Sequence, residues 1–175
     1  MTGWRAAVIA TALALAPVAA WGQAENGRPL IWDIARTVLI DPTTYAPAVI
    51  SHEAIRWDWK TSQILFAYGW VEENPRFTIS GRANDPPVSY ATGNRIIRGV
   101  ALSVFQRSVA NNLAVGIGER VLTARYPERK KLIRTLSWVE RVAFAAIITY
   151  RNAADHVRQA AANRRLAREY AYTAQ

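Results

Sequence analysis

An all-α fold of about five helices, ending in a long C-terminal antiparallel helical hairpin and interrupted by one irregular loop over about 69–93, is what this 175-residue chain predicts. Three observations carry the expectation. Apolar residues recur every three or four positions from Leu132 to Ala161, and again from Ile97 to Ala124, which is the period of a helix. Between these runs and the N-terminal apolar stretches, Pro75, Gly81, Pro86, Pro87 and Gly93 gather the helix breakers into one place.

Taken in chain order, the first element is a targeting segment. Met1 to Arg5 carries one basic side chain and the amino terminus, and no charge follows from Ala6 to Ala24. Ala6–Ala16 has the length of the apolar heart of a secretory signal, Pro17 breaks it, and small residues place cleavage after Gly22 or after Ala24. The expectation is a signal peptide over 1–24 and a single helical domain over 25–175, periodic in pattern and exported to the periplasm or beyond. The alternative is an uncleaved signal anchoring the domain at the inner membrane, because the uncharged stretch approaches the ~20 residues that a span requires.

Pro29–Leu39 sets Leu30, Ile31, Ile34 and Val38 on one helical face and stops at Asp41 and Pro42. Pro47–Tyr68 is rich in apolar residues, but Trp57, Asp58 and Trp59 interrupt its period, so it reads as two helices or one bent, with Thr61 placed to cap the second. The loop follows, with a short strand expected at Phe77–Ile79. Asn94–Arg125 then carries Ile97, Val100, Val104, Leu113, Ile117, Val121 and Ala124 at helical spacings, and Gly116 and Gly118 allow a kink or a close helix neighbour. The last helix opens at Pro127, with Glu128 in its first turn. Leu132, Leu136, Val139, Ala143, Ile147, Tyr150, Ala154, Val157 and Ala161 form its stripe, the mark of a long amphipathic helix. Only Tyr126 and Pro127 separate the two helices, hence the hairpin.

Composition removes several chemistries. There is no cysteine, so disulfides, thiol nucleophiles, zinc–thiolate sites and lipid-modified cysteine are excluded. No glycine-x-serine-x-glycine, serine-x-x-lysine or Walker loop occurs, and Gly116-Ile117-Gly118 is half a dinucleotide fingerprint with Val121 where its third glycine belongs. His52 beside Glu53 and His156 beside Asp155 lack the four-residue spacing that puts two ligands on one helical face. No cofactor and no metal are therefore expected.

The charge is distributed unevenly. Residues 25–87 hold six basic and eight acidic side chains, whereas 88–175 hold fifteen basic and five acidic, and arginine supplies nineteen of the chain's twenty-two basic residues. A half of this kind suits an anionic partner: a membrane surface, a cell-wall polymer or an acidic protein, with nucleic acid the least favoured in an exported chain. Arg151, Arg158 and Arg165 recur every seven residues as one row, broadened by Arg164 and Arg168, with Asp155 and Glu169 placed four residues after Arg151 and Arg165. The loop offers a second set of donors, Arg76, Arg82, Asn84, Asn94 and Arg95, the last two near the expected start of a helix whose amides could hold an anion.

Two functions of different class follow. The first is a non-catalytic envelope protein that binds an anionic partner through its basic C-terminal half. The second is an enzyme on a phosphorylated or acidic envelope substrate, clamped by the loop arginines, with His52 or Glu53 as acid or base. A cavity under the loop containing His52 or His156 would favour the second, and a convex basic face without one would favour the first. Five tryptophans lie beyond the signal: Trp32, Trp57, Trp59, Trp70 and Trp138. They suit the core by default, and otherwise a membrane surface or a partner.

Overall fold

A computed structural model describes residues 30–172; the expected signal peptide lies outside them, and so do the side chains of Leu30 and Ile31. The described chain is helical: α1 Leu30–Ile40, α2 Pro42–Phe66, α3 Tyr90–Arg125 and α4 Lys130–Glu169, with 3-10 turns at Pro75–Phe77 and Pro127–Arg129. The all-α expectation holds. Among the described residues there are four helices, because the stretch that reads as two helices or one bent is a single helix.

The cause lies at Asp41 and Pro42. Asp41 ends α1 and also begins α2: its Oδ1 accepts from the Thr43 amide at 2.9 Å and the Thr43 hydroxyl at 2.7 Å, while Pro42 fills the first position, where a missing N–H costs nothing. Reading this pair only as a stop hid a start. Pro47, inside α2 but early in it, forgoes one amide bond without ending the helix. Thr61 is not a cap but a mid-helix residue, its hydroxyl donating back to the carbonyls of Trp57 (3.1 Å) and Asp58 (2.9 Å). At the C-terminal end Gly69 takes a left-handed φ of 86°. The Trp70 and Gly69 amides then reach the Leu65 and Phe66 carbonyls, closing the helix.

Contacts divide the chain into two units. One gathers the described residues up to Tyr45 with Gln106–Ala146. In it Ile34 and Val38 are buried as the α1 period predicts, and Gly116 lets the Ile34 side chain approach to where a Cβ would sit 3.0 Å from it. Its interior is also polar. Buried Asn112 donates to Thr43 Oγ1 (2.9 Å) and Thr44 Oγ1 (2.8 Å), and Thr44 donates to the Val38 carbonyl at 2.7 Å. Arg141, 9% exposed, lies between Asp41 and Glu119, 3.5 Å from each.

The other unit joins Ala46–Phe105 with Ile147 onward. Its core is Ile55, Trp59, Phe77 and Ile97, with Phe66, Val88, Ile96 and Val100 packed around them. Trp59 is the centre, 3% exposed, its ring 5.1 Å from that of Phe77 and 5.8 Å from that of Phe66. Phe77 is a loop residue, so the loop is anchored in the helical core. The strand expected at Phe77–Ile79 does not form. Phe77 ends a 3-10 turn, and isolated bridges pair Thr78 with Pro87 and Glu72 with Asp85, because the prolines leave too few amides for a ladder.

α4 buries a different face from its apolar stripe. Ile148, Ala153, Ala160, Asn163 and Ala167 are the buried positions in the second unit, while Ile147, Tyr150 and Val157 are exposed; in the first unit Leu132, Leu136 and Val139 are exposed too. Alanine permits close helix approach and Asn163 finds polar partners, and a count of large apolar residues registers neither. Only Trp59 among the five tryptophans is buried; Trp32, Trp57, Trp70 and Trp138 are exposed.

Candidate functional site

Within the second unit a cleft of about 160 Å³ opens where the loop meets α4. The loop supplies Asn74, Arg76 and Phe77; α4 supplies Arg151, Asn152, Asp155 and His156; Ile55 and Val100 form an apolar side. Thus one member of each arginine set predicted from the sequence, Arg76 from the loop and Arg151 from the row, lines the same cleft.

Local bonding explains the placement of each. Asn74 caps the 3-10 turn, its Oδ1 accepting the Arg76 amide at 3.1 Å, and its own amide donates to Glu72 Oε1 at 2.7 Å. Phe77 next door is buried, which fixes the turn and leaves the Arg76 side chain outward. On α4, Asp155 does not pair with Arg151 as the four-residue spacing suggested. It takes Arg158 Nη1 at 3.0 Å. Neither Arg76 nor Arg151 has an ion-pair partner among the described residues.

His156 is held from behind. Its Nδ1 lies 2.7 Å from Asp58 Oδ2, across 98 residues of sequence. Asp58 Oδ1 accepts from Asn163 Nδ2 at 3.2 Å, and that amide also reaches Ser62 Oγ (2.8 Å) and Thr61 Oγ1 (3.4 Å), while Gln159 donates to Asn163 Oδ1 at 3.0 Å. A carboxylate on Nδ1 fixes that nitrogen as the donor, so Nε2 of the neutral ring is an acceptor. The pair has the orienter-and-base order used in proton transfer. Near Asp58, Glu72 has its pKa raised above the ordinary 4.5, first by burial and then, against two backbone hydrogen bonds, by the negative field of Asp58.

The remaining predicted residues lie outside the cleft. Arg82 is exposed and its amide bonds Ser80 Oγ at 3.2 Å; Asn84 takes a left-handed φ of 59° in the turn; Asp85 Oδ2 accepts the Ser80 amide at 3.0 Å. These residues close the loop on itself. Asn94 and Arg95 are not at a helix start. α3 begins at Tyr90 behind Ser89, whose Oγ accepts the Thr92 amide, and the Gly93 amide already bonds the Ser89 carbonyl, so the free amides lie upstream of both residues. His52 and Glu53 pair with each other at 2.9 Å, and Glu53 also holds Arg56 at 3.3 Å, away from the cleft. The histidine that lines the cleft is therefore His156 rather than His52. Among the described residues no group of three acidic or histidine side chains could hold a metal.

A second surface is the exposed face of α4. In the second unit Ile147, Tyr150 and Val157 point outward, and Val157 borders an apolar groove of about 580 Å³ lined by Val49, Ile50 and Trp57, with Arg56 and Lys60 at its rim. Arg151 and Arg158 stand four residues after Ile147 and Ala154, and Arg165 four after Ala161, so the row runs beside the apolar stripe. Arg158 is tied to Asp155 and Arg165 to Glu169 (3.5 Å). In the first unit the stripe residues Leu132, Leu136 and Val139 are exposed as well.

No protein-family model, no curated protein and no solved structure matches this chain. Among the described residues no helix is long and apolar enough to cross a membrane.

Proposed function

We propose that this is an exported protein of the bacterial cell envelope that binds an anionic membrane surface through its basic C-terminal helix. One observation carries the reading: the apolar stripe of α4 is exposed and has the arginine row beside it. Arginines flanking exposed leucine, isoleucine and valine make an interfacial helix, whose apolar side enters the head-group boundary while the cations meet lipid phosphates. A cell-wall polymer would use the charge but leave no role for so much exposed aliphatic surface. The same reading takes α3 and α4 as the expected hairpin. It is supported within the first unit by pairs whose numbers run in opposite directions, Asn111 with Glu140 and Glu119 with Arg134.

Vesicle sedimentation tests the surface. The mature chain should bind vesicles rich in anionic lipid and release them at high salt. Changing Arg151, Arg158 and Arg165 together to glutamine should weaken binding on the order of a hundredfold, at about 1 kcal/mol per cation. Equal binding to zwitterionic vesicles, or no loss in the triple variant, would refute it. Binding to an acidic polymer but not to vesicles would transfer the row to that partner.

The cleft favours a second reading, an enzyme acting on a phosphorylated or acidic envelope substrate, because it places His156 with its Asp58 partner beside a loop arginine. In that reading Arg76 and Arg151 clamp the substrate and His156 moves the proton.

A further inference from the structure

We propose that the cleft is a phosphate-binding site, in which Arg76 and Arg151 hold the oxygens from opposite walls and His156 Nε2 makes the third polar contact. The inference rests on the second reading for its location but not for turnover. Size admits the ligand first. The cleft, about 160 Å³ and open to solvent on one side, has room for one tetrahedral oxoanion. Its open mouth lets the remainder of a larger phosphate ester lie outside.

Charge selects it next. Two guanidiniums from separate elements meet at the cleft without ion-pair partners among the described residues, and each presents a planar fork suited to phosphate oxygens. Two carboxylates oppose an anion here, and both are engaged. Asp155 is 90% exposed on its side chain and drawn aside by Arg158, and Asp58 stands behind the imidazole, bonded to it and to Asn163. Phe77, Ile55 and Val100 exclude water from one side, which strengthens each polar contact.

His156 suits phosphate in particular. With Nδ1–H committed to Asp58, a neutral ring accepts the O–H of a monoanionic phosphate, and a protonated ring donates to a dianion, so the contact persists in either ionic form. Carboxylate and sulfate offer no such proton at neutral pH. The network through Asp58, Asn163, Ser62 and Thr61 fixes the ring orientation, which makes Asp58 and Asn163 positioning residues.

The experiment is an NMR titration of the mature chain, read on imidazole signals. The chain has two histidines, so a His52→Gln variant assigns both. Inorganic phosphate, and separately dihexanoyl phosphatidic acid below its micelle concentration, are added to about 10 mM, the range in which a weak site of millimolar affinity saturates. Saturable movement of the His156 signals, with those of His52 still, is the expected result. Saturation by inorganic phosphate identifies free phosphate as sufficient, and saturation by phosphatidic acid alone identifies a lipid head group. Arg76→Gln or Arg151→Gln should each weaken the response at least about tenfold, since each removes a charge-assisted bond. No saturation by either ligand overturns the proposal, as does a response unaltered in both arginine variants. Release of phosphate from p-nitrophenyl phosphate is measured in parallel. Binding without turnover leaves the phosphate site standing and removes the enzyme.

Discussion

Gly93 and Gly99 lie six residues apart on α3, yet the same substitution should move stability in opposite directions. A Cβ built on Gly93 would stand 2.3 Å from Trp59 Cε2 and 2.4 Å from Cζ2, inside any permitted contact, whereas one on Gly99 meets nothing within 4 Å. The indole cannot swing away. Phe66 and Phe77 hold it within 5.8 Å, Tyr90 stacks at 6.4 Å, and its Nε1 donates to the Tyr90 carbonyl at 3.4 Å. Gly→Ala inside a helix is worth about 0.5–1 kcal/mol in its favour, so Gly99→Ala should stabilise by that much. Gly93→Ala gains a similar amount but incurs overpacking of about 1–3 kcal/mol. The helix preference largely cancels in the comparison, leaving Gly93→Ala less stable than Gly99→Ala by about 1–3 kcal/mol. Urea unfolding of residues 25–175, followed by circular dichroism and by tryptophan fluorescence, measures both. If the two variants gained equal stability, Trp59 would not be seated against Gly93, and the core described around it would be wrong.

Other perturbations follow from the same contacts. Arg141→Met keeps the volume but leaves Asp41 and Glu119 without their shared cation, and should lower stability by about 1–3 kcal/mol in urea unfolding. Glu72 has a raised pKa, so its folded form holds a proton more readily than the unfolded chain. Its contribution is therefore present below the ordinary 4.5 and lost as pH rises through the folded pKa, and Glu72→Gln should gain stability relative to the parent between acid and neutral unfolding series. Asp85→Ala removes the acceptor of the Ser80 amide and should cost about 0.5–1.5 kcal/mol, whereas exposed Arg82→Gln should stay within about 0.5 kcal/mol of the parent. Ala171, left-handed at φ 53° where the Tyr172 amide reaches back to the Ala167 carbonyl, should become more favourable as glycine by about 1 kcal/mol, read as a raised unfolding midpoint.

The sequence by itself determined the helical class, the break at Tyr126 and Pro127, the presence of the irregular loop, and the burial of Ile34, Val38, Ile97 and Val104. Those features follow from period and from backbone chemistry, which act over a few residues. It also determined the arginine-rich second half, since charge is additive along a chain. What the tertiary structure decided was of another range. Asp58 was an interruption in an apolar pattern until His156, 98 positions away, came within 2.7 Å of it. Arg76 and Arg151 belonged to separate expectations until the loop, anchored by Phe77, brought them to one cleft. The strongest periodic signal, the α4 stripe, located a face correctly but said nothing about what covers it, because period reports which side chains share a side and not which side the neighbouring helices choose. That choice went to the alanines and Asn163, where small volume and satisfied hydrogen bonds allow closer packing than leucine and valine would.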